Sequence, residues 1–164
     1  MKNPDIIRQK IYTLPSLLHK LSQIRLLGTT VSFTNGVFDI LHTGHIASLS
    51  QAASEANFLV VGVNSDRSVK QLNKGDERPL NDEDSRALIL ASLIIVDAVI
   101  IFDEDTPLEL IKKIMPDVIV KGGDYAVEQI AGAKEVMAAG GRVVINKLVE
   151  GYSTTGLIKK IRNL

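Results

Sequence analysis

Apolar runs of strand length recur along the chain at 31–35 (VSFTN), 58–64 (FLVVGVN), 97–102 (DAVIIF), 117–121 (DVIVK) and 142–147 (RVVINK). Their Val-rich character matches strands buried on both faces of a parallel sheet, which read as continuous apolar runs and do not alternate. The segments between them carry helix signals. Thr43 reads as an N-cap, Asn81-Asp82 precede an apolar-periodic run, Thr106-Pro107 read as N-cap and first helical residue, and Gly140-Gly141 fall past a helix end. This alternation predicts an α/β fold: a five-stranded parallel sheet with right-handed crossovers and helices on both faces. Ahead of the first strand, residues 5–27 place Leu14, Leu17, Leu18, Leu21, Ile24 and Leu27 at helical spacing, which predicts an amphipathic packing helix.

Composition narrows the picture. A length of 164 residues fits one domain, 1–164, with 1–28 as a helical extension packed on it. The absence of cysteine excludes disulfides, Cys-ligated metals and thiol nucleophiles. Nineteen basic residues balance nineteen acidic ones, so no overall field holds the chain on nucleic acid or an anionic membrane. The polar opening MKNPDIIRQK has no apolar signal region, which points to the cytoplasm. The most apolar stretch, Ala87 to Phe102, is interrupted by Ser92 and Asp97 and is too short for a membrane span.

Ligands of open α/β sheets bind outside the carboxyl ends of the strands, so the strand-to-helix loops are where chemistry is sought. The first of them reads Thr34-Asn35-Gly36-Val37-Phe38-Asp39-Ile40-Leu41-His42-Thr43-Gly44-His45. Two imidazoles three apart share one face of a helix start, where free N–H groups and the dipole favour an anion. The pattern suits phosphate, with Gly44 admitting a close backbone approach and Asp39 in reach of a Mg²⁺ that accompanies a nucleotide. A zinc site is the weaker reading, because the chain has three histidines and no cysteine. His19 reads as a solvated or hydrogen-bonded side chain. Neither a G-x-G-x-x-G loop nor a Walker A loop is present.

GVFDILHTGH resembles the GxFDxxHxGH signature of the HxGH nucleotidyltransferases. VNSDRSVKQLNKGDERPLN, EDTP, VKGGDY, IAGAKEV and GYSTTGLIKKI follow in the order and spacing of the adenylyltransferases of ADP-heptose synthesis, over about residues 10–163. The resemblance implies a Rossmann-like fold of the HxGH nucleotidyltransferase type. By the same resemblance His42 and His45 contact nucleotide phosphates and stabilise charge in transfer, and Asp39 is the acid near metal and phosphates. Arg86 matches an arginine that reaches the phosphates; its other reading is a solvated helix-surface side chain. Lys70 and Lys74 both follow the second strand, where related enzymes place phosphate-binding lysines, and Lys74 joins the two histidines in the catalytic set. Lys121, Gly122, Gly123 and Asp124 match a loop lining the nucleotide site, although Asp124 suits a turn cap equally well. Thr34, Asn35, Gly36, Phe38 and Gly44 complete the first loop, and Ser153, Thr154 and Thr155 the last. Many family members read ISSTxxR there, whereas Ile158 stands at the arginine position and Lys159 follows it.

The implied reaction transfers AMP from ATP, with Mg²⁺, to D-glycero-β-D-manno-heptose 1-phosphate, for lipopolysaccharide core synthesis. The sugar phosphate oxygen is already ionised, so no general base is needed and catalysis is positioning plus charge stabilisation. Family members are often fused behind a sugar kinase; no kinase sequence occurs here, which implies the stand-alone form acting with a separate heptose kinase and phosphatase, and a homodimer. Two alternatives stand beside this reading: a cytidylyltransferase using CTP and glycerol 3-phosphate, and a non-catalytic nucleotide-binding module.

Overall fold

The computed structural model describes residues 3–72, 78–123, 125–147 and 151–163. Strands β1 (Val31–Gly36), β2 (Phe58–Asn64), β3 (Ala98–Phe102), β4 (Val118–Gly122) and β5 (Arg142–Asn146) form one parallel sheet in the order β3-β2-β1-β4-β5. The chain builds outward from β1 to β3, then returns to the far side of β1 for β4 and β5. Strand order therefore reverses between β1 and β4, the place where a crevice opens at the carboxyl ends of such sheets. All five expected strands are present, but those expected from Asp97 and Asp117 begin one residue later. Each of these carboxylates instead accepts the N–H of a neighbouring strand's edge: Leu59 donates to Asp97 at 2.8 Å and Val31 to Asp117 at 2.7 Å.

The helices are α1 (Leu14–Arg25), α2 (Thr43–Ser54), α3 (Asp66–Gln71), α4 (Glu83–Ala91), α5 (Leu108–Ile114), α6 (Ala133–Ala138) and α7 (Thr154–Arg162). They cover both faces of the sheet. On one, Leu17, Leu21, Leu110, Ile111 and Ile114 pack against Phe33, Val60 and Ile119. On the other, Leu49, Ala52, Ala87 and Leu90 pack against Leu59, Val61 and Val120. Odd and even positions of β2 thus feed different cores, which is why its sequence is apolar throughout. Two expected caps shift by one residue. Thr43 is the first residue of α2 and His42 caps it, while Pro107 occupies the cap position of α5 without a side-chain bond. Asp82 caps α4 as expected, accepting from Ser85 N–H at 2.7 Å. Gly140 follows α6 at φ 87°.

The N-terminal segment guards an edge of the sheet. Ile11 bridges to Val99 of β3 and Tyr12 N–H donates to the Val99 carbonyl at 2.8 Å, so backbone groups that would otherwise invite another strand are partly occupied. Arg25 ends α1 by donating to the carbonyls of Ile114 and Met115 at 2.7 and 2.6 Å, tying α1 to the end of α5. The apolar stripe stops short of its expected length. Leu27 lies beyond that end and is 84% exposed, whereas Leu17 and Leu21 are buried. Among the described residues no helix is long and apolar enough to cross a membrane.

Leu17→Ala is expected to lower the free energy of unfolding by about 2–5 kcal/mol through the cavity it leaves. Leu27→Ala should change it by less than about 0.5 kcal/mol. Equal effects of the two in urea unfolding would contradict the packing of α1.

Candidate active site

The carboxyl ends of β1 and β4 and the N-termini of α2 and α7 surround a cavity of about 510 Å³. Its wall includes Thr34, Asn35, Gly36 and Phe38 after β1, and His42, Gly44 and His45 at the start of α2. Lys121 and Gly122 come from β4, and Ser153, Thr154 and Thr155 from the start of α7. Segments far apart in sequence are thus brought together at the point where strand order reverses.

The two motif histidines are stacked, with ring centroids 3.8 Å apart and planes inclined by 19°. His42 Nδ1 accepts a long bond, 3.4 Å, from the His45 backbone N–H, which assigns its ring hydrogen to Nε2. Burial pushes the pKa of His42 below the usual 6.5, so the ring is neutral at pH 7 and acts as a hydrogen-bond donor through Nε2. Phe38 meets the His45 ring edge-on at 5.3 Å and itself holds φ at 51°, a left-handed conformation rare for an aromatic residue. Gly44 is required by this packing: a Cβ there would stand 3.1 Å from the His42 ring and 3.3 Å from Tyr152 Cβ. The missing side chain serves the histidine's position as much as any ligand's approach.

On the β4 side, Lys121 Nζ lies 3.1 Å from Asn35 Oδ1 and so spans the reversal between β4 and β1. Ser153 Oγ caps α7, accepting Gly156 N–H at 3.0 Å, and Thr154, the first residue of α7, is buried. Gly123 does not line the cavity. It turns the chain at φ 125°, where a Cβ would press to 2.9 Å from the Tyr125 ring. Lys74 and Asp124 lie outside the described residues, and Lys70 is exposed on α3, away from the cavity.

Two residues expected at the ligand, Asp39 and Arg86, do not line the cavity and are held by protein partners. Asp39 is 1% exposed and does not line the cavity. Its Oδ1 accepts the N–H groups of Leu80 and Asn81 at 2.8 and 3.0 Å, and its Oδ2 accepts Arg78 Nε at 3.0 Å. With both oxygens engaged by protein donors, the carboxylate anchors the 78–82 segment and offers a metal no open face. Arg86 is not a solvated surface residue, and its guanidinium is engaged by protein partners. At 0% exposure it donates to the carbonyls of Asn81 and Val37 at 3.0 and 2.7 Å and to Asp66 Oδ1 at 2.6 Å, pinning three loops together. His19, by contrast, is exposed on α1 beside Gln23, as expected.

The cavity also contains residues to which the sequence assigned no role: Val37, Ser48, Arg78, Tyr125 and Tyr152. Tyr152 sits inside the GYSTTG stretch, so proximity to that motif was a usable signal. Arg78 had none, because its partner Asp39 is 39 residues away. A second cavity of about 360 Å³ shares the wall formed by Asn35, Gly36, Val37, Lys121 and Tyr125. It adds Asn64, Asp105, Thr106 and Gln129, side chains suited to hydroxyl groups, together with apolar Ile111, Ile119 and Ile130.

A Rossmann-like parallel sheet whose switch-point crevice is walled by a His-x-Gly-His helix start defines an α/β protein that handles nucleotides. The chain belongs to the cytidylyltransferase-like family of nucleotidyltransferase enzymes, which it matches over residues 33–160. It is similar to the bifunctional protein HldE of Mesorhizobium japonicum, 55% identical over 135 residues that cover 82% of this chain and 27% of that protein. It is similar also to the bifunctional protein HldE of Koribacter versatilis, 51% identical over 155 residues, covering 94% of this chain and 32% of that one. The chain therefore spans between a quarter and a third of these relatives' length. Among solved structures, the lipopolysaccharide core biosynthesis protein of Thermoplasma volcanium superimposes with a TM-score of 0.61 at 29% identity, covering 77% of this chain and all of that one. A pantoate-beta-alanine ligase of Francisella tularensis shares the fold, with a TM-score of 0.62 at 15% identity over 94% of this chain and 72% of that one.

Two outcomes are expected from this geometry. Arg86→Met leaves two carbonyls without their donor and should cost about 2–3 kcal/mol of stability in chemical denaturation. Unchanged stability with weakened nucleotide binding would return Arg86 to a phosphate-contact role. In an NMR titration His42 should titrate below 6.5; titration at or above that value would show that its ring is not held in a desolvated position.

Proposed function

We propose that the chain transfers AMP from ATP to a sugar 1-phosphate, D-glycero-β-D-manno-heptose 1-phosphate, giving ADP-heptose and pyrophosphate for lipopolysaccharide core synthesis. The observation that carries this reading is the pair of stacked, preorganised imidazoles at the α2 N-terminus, facing the α7 N-terminus across a cavity joined to a second, hydroxyl-suited one. About half identity to HldE proteins, and likeness to a protein named for lipopolysaccharide core biosynthesis, support the same choice.

In this reading the triphosphate of ATP occupies the larger cavity and the sugar phosphate the smaller. An anionic oxygen of the sugar phosphate attacks the α-phosphorus, and the bond from that phosphorus to the oxygen bridging to the β-phosphate breaks. Pyrophosphate leaves with the electron pair, and no proton has to move. His42 donates through Nε2 toward the charge that grows on the transferring phosphate, and the first N–H groups of α7 receive the leaving phosphates. The shared wall, with Lys121 fixed on Asn35, holds nucleophile and phosphorus in one frame, which is the larger part of catalysis when the nucleophile is already charged. Among the described residues no group of three His, Asp or Glu side chains could hold a metal. Magnesium in this reading enters on the phosphates of ATP, as part of the substrate, and no carboxylate among the described residues is assigned to it.

A pyrophosphate-release assay crossing ATP and CTP with heptose 1-phosphate and glycerol 3-phosphate tests the reading. Turnover with ATP and the heptose phosphate, and little with CTP, is expected. Equal or better turnover with CTP and glycerol 3-phosphate would overturn the substrate assignment.

A further inference from the structure

The wall of the larger cavity, among the described residues, includes Arg78 and Lys121 together with the two motif histidines, and no aspartate or glutamate. Of the two permanent cations, Lys121 is bound to Asn35. Arg78 is held differently. Its side chain is 9% exposed, and its one bond among the described residues runs from Nε to Asp39 Oδ2 at 3.0 Å. An arginine paired with a carboxylate usually presents two parallel N–H groups to it. Here the carboxylate takes the inner nitrogen alone, so both terminal nitrogens of a side chain that is 9% exposed and lines the cavity are left without a protein partner among the described residues. Those N–H groups are held in place by the Asp39 bond and stay available to a ligand in the cavity. The planar fork is also the side-chain geometry best matched to phosphate oxygens.

We infer that Arg78 is a phosphate-contacting residue of this cavity, aimed by Asp39, with its terminal nitrogens receiving the phosphate chain of the nucleotide. The inference rests on reading this cavity as the nucleotide site, but not on which base or sugar is used. It also gives the buried Asp39 a purpose beyond anchoring the 78–82 segment: the carboxylate fixes the roll of the guanidinium before ligand arrives. That preorganisation removes a side-chain ordering cost from binding.

The test separates a ligand contact from a structural partner of Asp39. Binding of inorganic pyrophosphate and of ATP is measured by isothermal titration for Arg78→Met, Arg78→Lys and the double variant Asp39→Asn/Arg78→Met, each with its melting curve. In Arg78→Met, affinity for both probes should fall about tenfold or more. Melting should also fall, since Asp39 loses its partner. The double variant removes the orphaned charge while the amide oxygen introduced at position 39 still accepts from Leu80 and Asn81; it should regain melting temperature but not pyrophosphate affinity. Wild-type affinity in the double variant would overturn the inference. Should the double variant fail to fold, Arg78→Lys decides: it keeps a charge but not the fork, and should bind pyrophosphate about threefold or more weakly. Unchanged binding there would equally overturn the inference. Pyrophosphate carries neither base nor sugar, so these outcomes are independent of whether ATP and heptose phosphate prove to be the substrates.

Discussion

Asp39 carries a carboxylate at 1% exposure, directly after a phenylalanine held at positive φ, and a charge so placed must be met by protein donors. The donors come from one segment: Arg78 through its side chain, Leu80 and Asn81 through their backbone N–H groups. Asn81 returns a bond of 2.5 Å from Nδ2 to the Asp39 carbonyl, and its own carbonyl receives Arg86. Arg86 in turn holds the Val37 carbonyl and Asp66. The β1–α2 loop, the start of α3 and the segment leading into α4 are therefore positioned by a single connected set of polar contacts. Such networks are stabilising only when complete, and removing one member strands the others.

What the network positions is a crevice that the sheet topology opens but does not shape. The reversal of strand order at β1 and β4 leaves the carboxyl ends of both strands uncovered, and the starts of α2 and α7 close over them. Helix N-termini favour anions only at short range, so their placement decides whether a phosphate chain can touch both. His42 serves several of these ends at once. One ring caps α2 through Nδ1, stacks on His45, and keeps Nε2–H for a ligand, while burial holds it neutral so that the hydrogen stays on the donating nitrogen. The packing depends on glycine at 44, which explains the motif's spacing in terms of contacts internal to the protein.

Much of this was legible from the residues. Val-rich apolar runs identify β2, β3, β4 and β5 because each of these strands feeds two cores at once, while β1 feeds one through Val31 and Phe33. The His-x-Gly-His spacing points to the cavity wall because it encodes local geometry, a cap and a stacked ring pair. The errors share a physical cause. Asp39 and Arg86 are charged residues beside a phosphate motif, and nothing local distinguishes a charge that meets ligand from one that meets protein. Apart from the Asn81 carbonyl that Arg86 meets, their partners lie 20–49 residues away and depend on the fold. Arg78 went unassigned for the same reason. The smaller misses are local competitions: the His42 ring displaces Thr43 as the cap, and Leu27 continues a helical spacing beyond the residue at which the helix stops.

The central claim is that the nucleotide's phosphates lie between the starts of α2 and α7, at the reversal of strand order. A crystal structure with a non-hydrolysable ATP analogue tests it most directly. The account predicts the phosphate chain beside His42 Nε2, the Thr154–Thr155 backbone and the terminal nitrogens of Arg78, with Asp39 still bonded to Leu80 and Asn81. Phosphates bound elsewhere, or a metal coordinated by a displaced Asp39 carboxylate, would contradict it.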